Sequence, residues 1–391
     1  MHFSALITAV ALLLMLSGCS SGGTIYSNYR EIEDILLVLT MGIDGRGRDI
    51  TLSVSTGTGM EEGSEPVKIS TRGNSITDAM ETLHSYSSRS RPFYAHVKYI
   101  ILGHDAAGDV SGCLDYAERS TELRLDANMF IVKDGNAKSL ITAENGKNYD
   151  ISAVLTAMER DTELTGYSHV YTFKQVAQRL AEYGSALVCA VEYAESEGTV
   201  FPDQGPIALP AGYAVLKGSS LCCFLSDEEV YGTNVLLNQI GTCSVTLPAG
   251  ENETVTVALT NSSSKLKPEW KNGKPALTAD ISLRAGIVEM SDNVEITNQN
   301  ILDMLNEELS EIVRIWCRSA VKRSQDTGAD FLMLGGCLRR DDPKKFRAIE
   351  EQWPEMLKDI EFSVNVDAVV ARTYDIIDPV DDNGGGFRDA A

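Results

Sequence analysis

Short apolar runs and stretches of helical periodicity alternate through the first half of the chain. Ile35–Met41 and Val97–Leu102 are nearly continuous apolar runs of the length that buried strands have. Between them, after Asn74, a good N-cap residue, apolar residues recur at helical spacing. This alternation predicts a mixed α/β domain over residues 24–200. Its other predicted elements are a hairpin strand at Ile50–Ser55 after a turn at Gly42–Gly45, a strand at Met129–Val132, and helices near Cys113–Arg119, Ile151–Arg160 and Phe173–Glu182.

The middle of the chain differs in composition, and Phe201–Pro210 has the residues of a linker. Gly212–Leu216 and Leu221–Leu225 follow as two apolar runs separated by Lys-Gly-Ser, which predicts a hairpin. We assign residues 205–262 to a small β-rich lobe, the first part of a C-terminal region at 205–379. Within the lobe we predict strands at Cys243–Leu247 and Thr254–Leu259, followed by a polar, serine-rich loop at Asn261–Lys267.

The last part of the chain has the strongest helical pattern. Apolar residues from Ile301 to Ala320, Trp316 among them, form one stripe, and Gly328 is a typical helix terminator. They predict a long helix at 298–326 within an α+β lobe at 263–379. The whole chain is therefore predicted to be α+β or mixed α/β, with several subdomains and mixed sheets flanked by helices. Further predictions are strands at Leu277–Leu283, Ile287–Met290 and Phe362–Val370, a helix from Asp342-Pro343, and a disordered tail at 380–391.

The N-terminus begins with an apolar run, Ala5–Leu16, in which only Thr8 is polar. This run is too short for a permanent membrane helix, which needs about 20 apolar residues, but it is typical of a secretory signal. It ends in Leu16-Ser17-Gly18-Cys19, which resembles a bacterial lipobox. We therefore expect residues 1–18 to be a signal peptide and Cys19 to carry the acyl chains that hold the protein to a membrane.

The composition is that of a globular protein, with 43% hydrophobic and 7% aromatic residues. A net charge of −22 repels phosphate backbones, so we expect no nucleic-acid partner. The cysteines other than Cys19 include no Cys-x-x-Cys pair, which argues against a zinc ribbon or a redox motif. An exported location permits disulfides, but the sequence does not identify pairs. These seven cysteines are Cys113, Cys189, Cys222, Cys223, Cys243, Cys317 and Cys337.

Known catalytic patterns are incomplete or missing in the sequence. The five histidines are scattered, with no pair at metal-ligand spacing. Ser262–Lys265 and Ser291–Asn293 resemble two motifs of penicillin-binding proteins, but the third motif, Lys-Thr-Gly, is absent. Neither a P-loop nor a Gly-x-Ser-x-Gly nucleophile turn occurs. We therefore predict that the protein is not an enzyme and uses no cofactor or metal.

A series of short motifs follows the lipobox. Tyr29–Glu33 and Leu39–Asp44 come first, and others continue to about residue 375. No single motif is specific, but together and in this order they resemble the Ger(x)C lipoproteins, the C subunits of bacterial spore germinant receptors. The later motifs are Gly73–Ala79, His96–Lys98, Ile101–Gly103, Arg119–Arg124, Gly212–Lys217, Leu225–Glu229, Glu289, Gly328–Phe331 and Trp353-Pro354.

The resemblance implies a non-enzymatic receptor subunit built from α/β subdomains on a lipid tether. It implies a polytopic A subunit and a transporter-like B subunit as partners, and the outer face of the spore inner membrane as the location. The alternative is a free-standing solute-binding lipoprotein, which the lipobox and the chain length also fit.

Two groups of candidate residues follow from the resemblance. Arg119, Glu122 and Arg124 are candidate partner-interface residues, although a solvated ion-pair face is at least as good an interpretation. The candidate structural positions of the family are His96, Glu289 and Trp353, and we expect His96 to cap its strand or to pack beside it.

Overall fold

The computed structural model describes residues 35–57, 65–86, 91–143, 150–194, 207–250, 252–271, 273–291, 294 and 298–371. The predicted signal peptide, Cys19, the motif Tyr29–Glu33 and the predicted tail lie outside the described residues.

The elements are numbered in chain order. The strands are β1 (Ile35–Leu37), β2 (Thr40–Arg46), β3 (Asp49–Ser55), β4 (Lys68–Gly73), β5 (Arg91–Phe93), β6 (Tyr99–Leu102), β7 (Asn128–Val132), β8 (Ser185–Ala194), β9 (Ile207–Lys217), β10 (Ser220–Phe224), β11 (Ser244–Pro248), β12 (Thr254–Lys271), β13 (Lys274–Met290) and β14 (Glu361–Ala371). The α-helices are α1 (Ile76–Tyr86), α2 (His104–Ala107), α3 (Ser111–Arg119), α4 (Ala137–Thr142), α5 (Ile151–Thr165), α6 (Phe173–Tyr183), α7 (Asp227–Leu236), α8 (Gln299–Thr327), α9 (Leu334–Asp341), α10 (Pro343–Ile349) and α11 (Trp353–Met356).

The first sheet has eight strands in the order β10-β9-β8-β7-β6-β2-β3-β4. Strands β2, β6, β7 and β8 in its centre are parallel. Every residue of β6 and β7 is buried, because helices cover both faces of a parallel sheet, and this explains their continuous apolar runs. Helices α1, α3 and α6 cover one face, and α4 and α5 cover the other. The predicted class, mixed sheets flanked by helices, is confirmed.

The first predicted strand differs from the observed one. The run Ile35–Met41 is divided between β1, which pairs with β5, and β2, which pairs with β3 and β6. The predicted turn at Gly42–Gly45 is wrong, because the β2–β3 ladder continues to the pair Arg46 and Asp49. The hairpin itself is confirmed, with Gly47 at a φ of 62° in its turn.

Strands β9 and β10 extend the first sheet, although the sequence analysis placed them in a separate lobe. β9 pairs with β8 from Lys217 to Ile207 and with β10 on its other side. The predicted linker therefore ends earlier, because β9 begins at Ile207. The first sheet therefore extends past the predicted domain boundary at residue 205. Whether the two regions fold as separate units stays a prediction.

The second sheet has the order β11-β12-β13-β14. The loop predicted at Asn261–Lys267 is wrong, because this segment lies inside the 18-residue strand β12 and pairs with β13. Its exposure alternates, with Ser262 and Ser264 half-buried and Ser263 and Lys265 exposed. An antiparallel strand can present polar residues to water on one face, so polarity alone does not indicate a loop. The two runs predicted within Leu277–Met290 belong to the single strand β13.

Helix α8 confirms the long helix predicted at 298–326. Asn298 caps its first turn by accepting a hydrogen bond from the Asn300 N–H, and Gly328 ends it with a φ of 60°. Its buried stripe packs against the second sheet and α7. Trp316, predicted as a core residue, is only half-buried.

Candidate functional site

The three candidate interface residues lie on one exposed segment at the end of α3 and in the turn that follows. Arg119 pairs with Asp115 of its own helix at 2.7 Å, and Arg124 pairs with Asp126. Glu122 is exposed between them. Both pairs are exposed, so water and salt screen them and they form a solvated charged face. Its role as an interface stays a prediction.

His96 and Glu289 are also exposed. The His96 ring packs beside Phe93 of β5, with 5.7 Å between the ring centroids. Glu289 lies in β13 opposite Thr256 of β12. Their importance to the family stays a prediction.

Trp353 connects two motifs that lie far apart in the sequence. It is buried, and its indole N–H donates to the Asp330 carboxylate at 2.9 Å. Asp330 also accepts the N–H groups of Leu334 and Gly335, both at 2.7 Å, and so caps α9. Burial raises the pKa of Asp330, and these three donors oppose that shift. The motifs at Gly328–Phe331 and Trp353-Pro354 are therefore joined through the buried Asp330 and Trp353 side chains.

The segment Gly42-Ile43-Asp44 holds a helix against the first sheet. Asp44 accepts the N–H groups of Ala137 at 2.7 Å and Lys138 at 2.8 Å, which caps α4 from a remote strand. Gly42 allows α4 to approach, since a Cβ there would lie 2.5 Å from the Ile141 side chain. Burial raises the pKa of Asp44, opposed by these two hydrogen bonds. The motif thus holds a helix onto the sheet.

A groove of 540 Å³ opens at the carboxyl ends of β2 and β6. The first turns of α1 and α3 form its other walls, and Arg119 lies at its edge. Arg46 and Asp109 bring both charge signs to it, and Ser111 lowers the pKa of Asp109 by donating two hydrogen bonds. The volume is within the range of small-molecule sites, about 300–1,000 Å³.

Helix α7 joins the two sheets, and it is not among the helices predicted from the sequence. Its local signal is a capping box, Ser226-x-x-Glu229, in which the Ser226 N–H donates to the Glu229 carboxylate at 2.8 Å. Asn234 of α7 donates to the Gly166 carbonyl at 2.8 Å and accepts from the buried Tyr213 hydroxyl at 2.6 Å. Burial raises the pKa of Tyr213 far above its usual range, so it remains a neutral donor. These bonds attach α7 to the first sheet and to the loop after α5.

The opposite side of α7 contacts α8. A Cβ at Gly232 would lie 1.9 Å from the Trp316 carbonyl oxygen, so the two helix backbones touch. Tyr231 stacks on the Trp316 indole with 4.9 Å between ring centroids. Arg323 donates to Glu229 at 2.8 Å, and the Glu229 side chain is only 10% exposed. We call this set of contacts on both sides of α7 the seam.

Comparisons with known proteins agree with these motifs and their order. A family model described as "Spore germination protein N-terminal domain" matches residues 28–193, and one described as "Spore germination B3/ GerAC like, C-terminal" matches residues 211–374. The chain belongs to the Ger(x)C family. Spore germination protein KC of Bacillus subtilis (strain 168) is 23% identical over 382 residues, which cover 88% of this chain and 91% of that protein. The crystal structure of the GerBC protein has a similar fold, with a TM-score of 0.57, 17% identity, and coverage of 84% of this chain and 96% of GerBC.

The seam connects the two matched regions of this Ger(x)C chain. Gly166 belongs to the N-terminal match, whereas α7 and α8 belong to the C-terminal match. Strand β10 and most of β9 fall in the C-terminal match, but both strands belong to the first sheet. The boundary between the two matches therefore crosses a continuous sheet and a continuous apolar core.

Among the residues that the structure describes, no three or more His, Cys, Asp or Glu side chains converge as a metal site. Within the same ranges, no helix is both long enough and apolar enough to span a membrane.

Proposed function

We propose that this chain is the lipid-anchored C subunit of a nutrient germinant receptor complex in bacterial spores. It is needed there for receptor assembly and for the germination response. The proposal depends on one observation: the N-terminal and the C-terminal germination-protein models both match this chain, one after the other. Their order agrees with the order of the sequence motifs. The alignment over nearly the full length of Spore germination protein KC supports it further.

Membrane attachment in this proposal depends on Cys19. Its support is the lipobox-like Leu16–Cys19 directly after the apolar run. Two acyl chains anchor a protein stably, whereas one gives only marginal binding. The net charge of −22 makes electrostatic adhesion to anionic lipid unfavourable, so the acyl chains provide the attachment. The location is the outer face of the spore inner membrane.

The partners are the A and B receptor subunits, and the subunit acts by holding the complex together without turning over a substrate. Anchoring at one lipid point raises the effective concentration of the protein for partners in the same membrane. Arg119, Glu122 and Arg124 are the proposed contact face, since all three are exposed on one segment. Single substitutions there should weaken assembly in a graded way, because the energy of an interface is spread unevenly over many contacts.

The test compares spores of a deletion strain with spores complemented by the wild-type gene or by Cys19→Ala. Nutrient germination should be lost in the deletion strain, and the wild-type gene should restore it. The Cys19→Ala protein should fold but leave the membrane fraction and restore little response. Germination by agents that bypass receptors is the control and should stay normal in all strains. A normal nutrient response without the gene, where no paralogue is present, would contradict the proposal.

The groove supports one alternative function, a free-standing solute-binding lipoprotein. Gly112 lines it, and a Cβ added there meets nothing within 4 Å, so the backbone at this position has room for a side chain at the groove. Calorimetric titration of the Cys19→Ala chain with amino acids and sugars would detect binding, and Gly112→Trp should abolish it. Absence of binding at millimolar ligand would remove this alternative.

A further inference from the structure

Two adjacent cysteines lie on the outer strand of the first sheet. Cys222 and Cys223 belong to β10, which pairs on one side with β9 and forms the edge of the sheet. Cys222 is exposed and Cys223 is half-buried. The other described cysteines, from Cys113 to Cys337, are all buried. This pair is therefore accessible to reagents that cannot reach the other thiols.

The local backbone brings the two side chains together. In a regular strand, neighbouring side chains point to opposite faces of the sheet. Here the ladder has a bulge, because Leu221 pairs with Leu216 while Cys223 pairs with the next residue, Val215. A bulge redirects the side chain at the extra residue, Cys222. The Cys222 side chain consequently lies close enough to the Cys223 thiol to raise the pKa of that thiol.

The surroundings give the two thiols different roles. Burial, which has the largest effect, raises the pKa of Cys223, with a further rise from Cys222, whereas the nearby Arg323 guanidinium opposes the shift. Cys223 is thus a protected thiol next to an exposed one. An external disulfide reacts first with the exposed thiol and forms a mixed disulfide with it. A neighbouring second thiol can then attack this mixed disulfide and release the external group.

We propose that Cys222 and Cys223 form a thiol–disulfide exchange site that takes small-molecule disulfides and closes to a vicinal disulfide. The Cys222 thiolate attacks one sulfur of the external disulfide, forms an S–S bond with it and releases the other half as a thiol. The deprotonated Cys223 sulfur then attacks Cys222, which breaks the mixed S–S bond and releases the second half. Two cysteine thiols are oxidised to one disulfide, and the external disulfide is reduced to two thiols. The protons of the two cysteines end on these products.

The site lies beside the seam. Arg323, which is close to Cys223, also holds Glu229 of α7 at 2.8 Å. A disulfide between Cys222 and Cys223 links two neighbouring residues at the bulge. Its formation therefore changes the conformation of β10 next to this ion pair. A dithiol of this kind also takes a trivalent arsenical, which forms two As–S bonds and releases water from an As=O group.

The experiment uses the full chain with Cys19→Ala, which leaves seven cysteines. The folded protein is treated with oxidised glutathione, then unfolded, and its remaining thiols are counted. We expect loss of two thiols, a mass lower by two hydrogens, no retained glutathione, and a cross-link within the peptide that carries Cys222 and Cys223. Phenylarsine oxide should bind once and block the same two thiols.

Cys223→Ser is the matched control, because it keeps the exposed thiol and removes the resolving one. It should retain one glutathione on Cys222 and bind phenylarsine oxide about 100-fold more weakly, since the second As–S bond is no longer intramolecular. The proposal would be overturned if the Cys19→Ala chain with both Cys222 and Cys223 kept glutathione on Cys222, lost no thiols or formed its cross-link elsewhere.

Discussion

Replacement of Gly232 by alanine tests whether α7 holds the two sheets together. A Cβ at this position would lie 1.9 Å from the Trp316 carbonyl oxygen and 2.9 Å from the Cys317 nitrogen. Because both of these atoms are backbone, no side chain can move aside, and the helices must separate by more than 1 Å to reach about 3.4 Å, an ordinary contact. Separation of this size would loosen the Tyr231–Trp316 stack and the Glu229–Arg323 ion pair.

The expected cost follows from two opposing effects. Alanine gains up to about 1 kcal/mol over glycine inside a helix. Overpacking of a tight contact costs about 1–3 kcal/mol, and the weakened stack adds about 1 kcal/mol. We therefore expect Gly232→Ala to lower the free energy of unfolding by about 2 kcal/mol.

Gly112→Ala is the matched control, since Gly112 is also helical but a Cβ there meets nothing within 4 Å. It should change stability by less than about 1 kcal/mol, in the stabilising direction. Urea unfolding of both variants, followed by far-ultraviolet circular dichroism, measures the difference. If Gly232→Ala were as stable as Gly112→Ala, the close contact between α7 and α8 would be wrong.

Two further substitutions test buried and half-buried groups. Trp316→Ala should cost about 2 kcal/mol in urea unfolding, below the usual 3–5 kcal/mol for a fully buried aromatic residue, because Trp316 is half-buried; a loss below about 0.5 kcal/mol would show that its stack on Tyr231 contributes little. Burial raises the pKa of Asp330 above its ordinary value of 3.8. The protonated side chain therefore stabilises the folded state fully at pH values below 3.8, and this contribution is lost as the pH rises through the raised pKa. The unfolding free energy of the wild type minus that of Asp330→Asn should therefore fall as the pH rises from below 3.8 towards neutral, and a constant difference would contradict this.

Local signals in the sequence determined most of the helices. Helix α8 begins after the N-cap Asn298 and ends before Gly328, so each end lies within one residue of the predicted range 298–326. The capping box at Ser226 is an equally local signal, so α7 was predictable, although the helix lacks an apolar stripe on one face. It lacks that stripe because both sides of α7 are covered, and seven of its ten residues are buried.

Tertiary structure decided the partners of the motif residues. The sequence marks Gly42-x-Asp44 and Trp353 as unusual, but Asp44 caps a helix 93 residues away and Trp353 bonds to a carboxylate 23 residues away. Such contacts depend on which elements pack together, and no local periodicity carries that information. The same holds for Cys222 and Cys223, which are adjacent in the sequence but whose side-chain directions depend on a bulge in the pairing with β9.

The sequence by itself therefore determined the elements whose hydrogen bonds are local, their class, and the ordered motifs that indicate the family. Only the tertiary structure decided that β9 and β10 join the first sheet, that the serine-rich segment is a strand, and that α7 connects both regions. The physical reason is that a helix satisfies its backbone groups within four residues, whereas a strand depends on a partner that the chain supplies from far away.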